Sequence, residues 1–112
     1  MVRGKSVFIS GAIQNDPNYK EKFAHAKDAI LKRGAAQVVN PAEFPDDLTE
    51  KQCLVACMSI LPTIDLVVLL RDWNTSNGST AEAIYSNRLG KRVIEIDSIV
   101  PDLYTPANTT DG

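Results

Sequence analysis

The sequence predicts an α/β fold: a doubly wound, flavodoxin-like or Rossmann-like parallel sheet of four to five strands, with helices on both faces. Short β-rich segments alternate with helical ones in the order β-α-β-α-β-α-β, which is typical of parallel sheets. The segment 64–70, IDLVVLL, is almost continuously apolar, as expected of a central strand covered on both faces. A chain of 112 residues suits one domain, predicted over 1–100, with 101–112 as a carboxy-terminal tail.

The first half of the chain predicts two strands and one helix. Residues 5–10 are β-rich and form the first strand. Asp16 and Pro17 are predicted to start the helix, as N-cap and first helical residue, and Gly34 follows its end. Residues 36–39 form the second strand. The apolar stripe of the helix consists of Tyr19, Phe23, Ala26 and Ile30.

The second half predicts two more helices around the central strand. Thr49 and Gln52 have the T-x-x-Q spacing of a capping box, so the second helix starts there, and Pro62 stops it. A third helix is predicted over 79–89 and a fourth strand over 92–96. The alternation of strands and helices implies parallel strands joined by right-handed helical crossovers.

Composition narrows the class of protein. The net charge of -2 argues against a nucleic-acid partner, because such proteins usually carry a basic face. The first apolar run is too short for a signal peptide or a membrane span, which predicts a cytoplasmic protein without a membrane partner. Cys53 and Cys57 lie four apart in a helix, a spacing that predicts reduced core thiols rather than a disulfide. Two thiols without further ligands predict no metal site, and we expect no cofactor.

The predicted site lies where the strand order changes direction. In the order 2-1-3-4, the carboxyl ends of the first and third strands flank a crevice in which ligands bind. The start of the third helix adds unpaired amides and a positive dipole end that favour an anion. The residues predicted to bind substrate there are Ser10, Gly11, Ala12, Ile13, Asn40, Trp73, Ser76, Gly78 and Ser79.

Three acidic residues, Glu82, Asp72 and Asp65, are candidate catalytic groups, and two of them have a structural alternative. Glu82 is expected on the first turn of the third helix, where its carboxylate can act as nucleophile or base. The S-x-x-E spacing from Ser79 also matches a capping box, in which Glu82 only caps the helix. Asp65, at the start of a buried strand, either assists catalysis or is a structural group bonded to nearby backbone. Trp73 either stacks a planar base or covers the sheet edge.

Three segments are distinctive when taken together: VFISGAI, 39–41 (VNP) and IDLVVLLRDWNTSNGSTAEAIYSNRLGKRV. They resemble the nucleoside 2-deoxyribosyltransferase superfamily, most closely its small branch in phage and bacterial genomes. The resemblance spans residues 6 to about 96. In characterised relatives, the Glu that matches Glu82 attacks the anomeric carbon and forms a glycosyl-enzyme intermediate. The resemblance therefore implies that Glu82 is a nucleophile, as in retaining glycosidases.

The resemblance also bears on the substrate and on assembly. Six residues before Glu82, nucleoside transferases place an Asp, whereas monophosphate hydrolases place a Ser that helps to bind the 5′-phosphate. This chain has Ser76, which implies a 5′-monophosphate and hydrolysis, with amides of 11–13 and 78–79 sharing the phosphate. In relatives a neighbouring subunit often completes the pocket, so a homo-oligomer, a dimer or larger, is implied.

Three functional hypotheses follow. The first is an enzyme that cleaves or transfers the N-glycosidic bond of a (deoxy)nucleoside or its 5′-monophosphate, with Glu82 as nucleophile and Asp72 or Asp65 as orienting groups or proton donors. The second is a non-catalytic module of the same fold that binds or sequesters a nucleotide. The third is a passive assembly protein in which Glu82 is only a helix cap.

Overall fold

The protein is described by a computed structural model that covers residues 1–103. Its sheet has four strands, all parallel, in the order β2-β1-β3-β4, so the predicted fold class and strand order are confirmed. The strands are β1 (Ser6–Ser10), β2 (Gln37–Val39), β3 (Leu66–Leu69) and β4 (Arg92–Glu95). The helices are α1 (Tyr19–Lys32), α2 (Glu50–Ile60) and α3 (Asn77–Arg88). The predicted tail falls mostly on 104–112, outside the described residues.

The two faces of the sheet are covered by different helices. On one face, Val7 and Ile9 of β1 pack with the predicted α1 stripe, of which Phe23, Ala26 and Ile30 are fully buried. On the other face, β-strand side chains pack with α2 and α3 through the cluster that consists of Phe8, Cys57, Leu61, Ile64, Val67, Leu69 and Ala83. Every residue of β3 is buried, as predicted for a central parallel strand.

The strand register aligns the carboxyl ends of the central strands. Ser10, the last residue of β1, pairs with Leu69, the last of β3, and Leu69 in turn pairs with Glu95 of β4. Because all strands run the same way, the segments that leave β1 and β3 emerge side by side. This register brings the end of β1 next to the start of α3.

Helix α1 starts two residues later than predicted. The side chain of Asp16 accepts a hydrogen bond from the Asn18 amide at 2.9 Å, and Asn15 has a positive φ of 64°. These features form a turn through Asp16 and Pro17, and Asn18 is the residue that precedes α1. The predicted N-cap is therefore corrected: Asp16 caps a turn, not the helix.

Helix α3 starts at Asn77 rather than at Ser79. The hydroxyl of Ser76 accepts from the Ser79 amide at 3.2 Å, so Ser76 is the N-cap. Ser79 is then the third helical residue and Glu82 lies in the second turn, not the first. The proposed Ser79–Glu82 capping box is therefore wrong, whereas the one between Thr49 and Gln52 is present.

Candidate functional site

A cavity of about 280 Å³ opens at the carboxyl ends of β1 and β3. Its walls come from the segment after β1, the loop before α2, α2 itself and the first turns of α3. A wider, open groove of about 820 Å³ lies elsewhere, beside the amino terminus, α1 and residues 98–103. We assign the candidate site to the smaller cavity, because it lies at the change of strand order and contains the buried acid described next.

Glu82 forms part of the cavity wall, with only 7% of the residue exposed. Its Oε1 accepts a hydrogen bond from Ser10 Oγ at 2.6 Å, and Ser79 Oγ lies 2.6 Å from the same Ser10 oxygen. Ser10 is fully buried and Ser79 nearly so. The end of β1 and the first two turns of α3 thus form a buried network of two hydroxyls and one carboxyl group.

Burial raises the pKa of Glu82, because a charged carboxylate is poorly solvated there, while hydrogen bonds from Ser10 and Cys57 act in the opposite direction. The pKa of the Cys57 thiol is also raised, first by burial and then by the negative charge of Glu82. Cys57 is therefore a neutral thiol beside the carboxyl group, where it can donate a hydrogen bond. Both Cys53 and Cys57 are free thiols, as predicted.

The amino end of α3 contributes backbone donors to the same cavity. The Ser79 amide donates to Ser76 Oγ and the Thr80 amide to the Ser76 carbonyl. Within residues 1–103, no acceptor is bonded to the amides of Asn77 and Gly78, the first two of the helix. These two amides, at the positive end of the helix dipole, are the groups available to an anionic ligand.

Asp72 holds the segment after β1 in place through its side-chain contacts and does not line the cavity. Its Oδ1 accepts from the Ala12 amide at 3.0 Å, and its Oδ2 forms an ion pair with Lys22. Lys22 also donates to the Ala12 carbonyl at 2.7 Å and to Asp16 at 2.6 Å. Burial lowers the pKa of Lys22, but the two carboxylates raise it overall. The Ala12 amide is therefore already engaged and is not free to bind phosphate.

Asp65 lies at the other end of the sheet from Glu82. It precedes β3 and accepts hydrogen bonds from the Ser6 amide at 2.9 Å and the Ser6 hydroxyl at 3.0 Å. These bonds lower its pKa and tie the amino ends of β1 and β3 together. The length of the strands separates Asp65 from the cavity, so the structure gives it a structural position.

Two further predicted residues do not reach the cavity. Asn40 is buried, and its side chain accepts from the Ala42 amide at 2.9 Å, so it caps the short turn after β2. Trp73 is half-buried and packs against the hydrophobic cluster beneath α2 and α3. Of the two roles considered for Trp73, this position suits covering the sheet edge. Neither residue lines the cavity.

The structure brings half of the predicted substrate-binding and catalytic residues to the cavity. Those that line it are Gly11, Ile13, Ser76, Gly78, Ser79 and Glu82, while Ser10 lies directly behind Glu82. Sequence reasoning missed the other lining residues: Gln14, Tyr19, Pro41, Ala42, Phe44, Pro45, Asp46, Leu48, Glu50, Cys53, Leu54, Cys57 and Asn77. The four-residue spacing of the cysteines indicated a shared face, but nothing in it showed that this face meets Glu82.

Two kinds of feature are missing from residues 1–103. Across residues 1–103, no group of three His, Cys, Asp or Glu is arranged so that it could hold a metal ion. None of the helices found in that range combines the length and the apolar character that a membrane crossing requires.

Taken together, the fold and the site define a parallel α/β protein with a buried acidic residue at the change of strand order. The chain belongs to the family described as Domain of unknown function (DUF4406), whose family model matches residues 5–95. Neither the curated proteins nor the solved structures gave a match.

Proposed function

We propose that this protein cleaves the N-glycosidic bond of a nucleoside or a nucleoside 5′-monophosphate, with Glu82 as the nucleophile. The observation that carries the proposal is the buried Glu82 carboxyl group in the wall of the cavity, held by Ser10. A helix cap would be exposed at the helix start, whereas Glu82 lies in the second turn of α3 and bonds to another element. This placement supports a chemical role over the passive role.

The proposed reaction has two steps that balance. A Glu82 carboxylate oxygen attacks C1′ of the sugar, the bond from C1′ to the base nitrogen breaks, and its electron pair leaves with the base, which takes a proton from water. A water molecule then attacks C1′, the ester bond to Glu82 breaks to restore the carboxylate, and the proton that this water loses neutralises the hydroxide left by the first step. The net products are the free base and the free sugar or sugar phosphate; a second base in place of water gives transfer.

The cavity offers separate surfaces for the parts of such a substrate. Apart from the α3 residues, the cavity lining is largely apolar and includes the rings of Tyr19 and Phe44, which suit a planar base. The free amides of Asn77 and Gly78 lie beside Glu82 at the amino end of α3. They are the groups that would meet a sugar hydroxyl or a phosphate.

The charge of the cavity bears on the choice between nucleoside and 5′-monophosphate. Asp46, Glu50 and Glu82 are acidic, and no Lys, Arg or His of residues 1–103 lines the cavity. A phosphate dianion would gain from the helix end and lose to these carboxylates. Substrates with and without phosphate therefore belong in one experiment, and that experiment also tests the monophosphate implied by Ser76.

The first test compares the wild type with Glu82→Gln on a panel of ribo- and deoxyribonucleosides and their 5′-monophosphates, with free base followed by chromatography. The amide keeps the shape and the acceptor for Ser10 but cannot form a stable glycosyl ester. Base release should fall by at least about a thousandfold, as is usual when a covalent nucleophile is lost. Glu21→Gln, the same change at an exposed site on α1, should behave like the wild type.

The outcomes separate the hypotheses. Base release that depends on Glu82 supports the enzyme. A panel with no base release, but with nucleotide binding measurable by calorimetry in both proteins, supports the sequestering module. If the protein is folded but shows neither turnover nor binding, only the passive role remains. Light scattering on the same samples tests the implied homo-oligomer.

A further inference from the structure

The direction of the hydrogen bonds around Glu82 can be worked out from the number of protons available. An ionised carboxylate has no proton, so Ser10 must donate its single hydroxyl proton to Glu82 Oε1. Ser10 then has no proton left for its other neighbour. The 2.6 Å contact between the two hydroxyls is therefore a bond that Ser79 donates to Ser10. The hydrogen bonds therefore run from Ser79 through Ser10 to Glu82.

From this arrangement we propose that Ser10 is a positioning residue: its hydroxyl, held by Ser79, fixes the Glu82 carboxylate in the orientation and the charged form that attack on C1′ requires. The inference deepens the proposed function and rests on it for its catalytic consequence. It also replaces the earlier expectation that Ser10 binds substrate. Ser10 is fully buried and does not line the cavity, so it acts through Glu82.

These hydrogen bonds compensate for the burial of the Glu82 carboxylate. An ionised carboxylate that loses water needs other donors, and a bond to a charged group is among the stronger ones that a hydroxyl can make. When Ser79 donates to Ser10, it polarises the Ser10 hydroxyl and strengthens the bond to Glu82. Ser10 also holds one carboxylate oxygen, Oε1, which restricts the rotation of the group.

Few other titratable groups act on Glu82 in the described structure. From α2, the Cys57 thiol hydrogen-bonds to the carboxyl group, and Cys53 lies one turn away in the same wall. From the loop before α2 and its first turn, Asp46 and Glu50 line the rim and are exposed. None of them is a cation, so hydroxyl and thiol donors provide the stabilisation that a Lys or Arg would otherwise give.

The test is the titration of Glu82 itself, read by ¹³C NMR of the glutamate carboxyl carbons, with the Glu82 signal assigned from its absence in Glu82→Gln. Ser10→Ala should move the Glu82 midpoint to higher pH. Ser79→Ala should move it in the same direction by less, because Ser10 remains. Ser86→Ala is the matched control: this equally buried serine donates to the Glu82 carbonyl rather than the carboxylate, and should leave the midpoint unchanged.

The readout distinguishes this inference from the proposed function. Equal Glu82 midpoints in wild type and Ser10→Ala would overturn the inference, even if the enzyme is active. Shifts in the predicted order support it without any substrate. If Ser10→Ala does not fold, the comparison of Ser79→Ala with Ser86→Ala decides in the same way. Where base release is found, the rising limb of kcat/KM against pH should move to higher pH in Ser10→Ala, so that its deficit shrinks as pH increases.

Discussion

Replacing Glu82 by Gln should make the protein more stable relative to the wild type as the pH rises. The folded-state pKa of Glu82 is raised above its ordinary value of 4.5 by burial. Between the unfolded and the folded pKa, the folded protein therefore binds more protons than the unfolded chain. Over that window this one group lowers the wild-type free energy of unfolding by up to about 1.4 kcal/mol per pH unit. Gln does not titrate, so the variant lacks this slope.

The assay is urea unfolding of both proteins at half-unit steps from pH 4 to pH 9. The quantity of interest is the difference in free energy of unfolding, because other titrating groups cancel in it. This difference should grow in favour of Glu82→Gln as the pH rises through the window and become constant above the folded pKa. A difference that is flat, or that favours the wild type increasingly at high pH, would refute the argument from burial. Glu21→Gln, at an exposed site, should show no such trend.

Two further predictions concern the segment after β1. A Cβ on Gly11 would lie 2.8 Å from Leu70 Cδ1 and 3.0 Å from Leu70 Cβ in the core, so Gly11→Ala should cost about 1–3 kcal/mol in urea unfolding. Gly78→Ala, in the first turn of α3, meets nothing closer than 3.8 Å and should be at least as stable as the wild type, because Ala is the better helix residue; equal stability of the two variants would contradict the packing argument. Lys22→Met leaves carboxylates such as Asp16 without their cation. Because the Asp16 pKa is lowered by Lys22, the stability that this pairing contributes is lost as the pH falls, and thermal unfolding should show a larger effect of Lys22→Met at pH 7 than at pH 2.5; an equal effect at both would be inconsistent with it.

The strand order could be predicted from the sequence because its main determinants are local. The apolar run 64–70 is covered on both faces in the structure, and the four-three-four spacing of the α1 stripe is the spacing of its buried face. Each pattern follows from helix or strand periodicity alone. Once β3 is central and the crossovers are right-handed, few orders other than 2-1-3-4 remain.

The starts of α1 and α3 were harder to predict because the segment before each helix contains two residues that could cap it. Asp16 and Asn18 compete before α1, and the choice depends on a turn with a positive φ at Asn15. Ser76 and Ser79 compete before α3, and Ser76 is the N-cap, whereas the Ser79 hydroxyl lies 2.6 Å from Ser10 Oγ. The competing Ser79 side chain thus makes a tertiary contact that the local sequence does not reveal.

The environment of Glu82 shows which part of a site sequence reasoning can reach. Alternation along β1 places Ser10 on the same face as Phe8, which packs against α2 and α3, so contact between Ser10 and α3 follows from the predicted fold. That Cys57 would meet the same carboxyl group depends on how far α2 lies along the sheet, which no periodicity fixes. This matters for function, because a resemblance can identify the position of a nucleophile but not its charge. Whether Glu82 attacks a sugar or only contacts a ligand depends on the groups that surround it, and Ser10, Cys57 and Ser79 come from three elements far apart in the sequence.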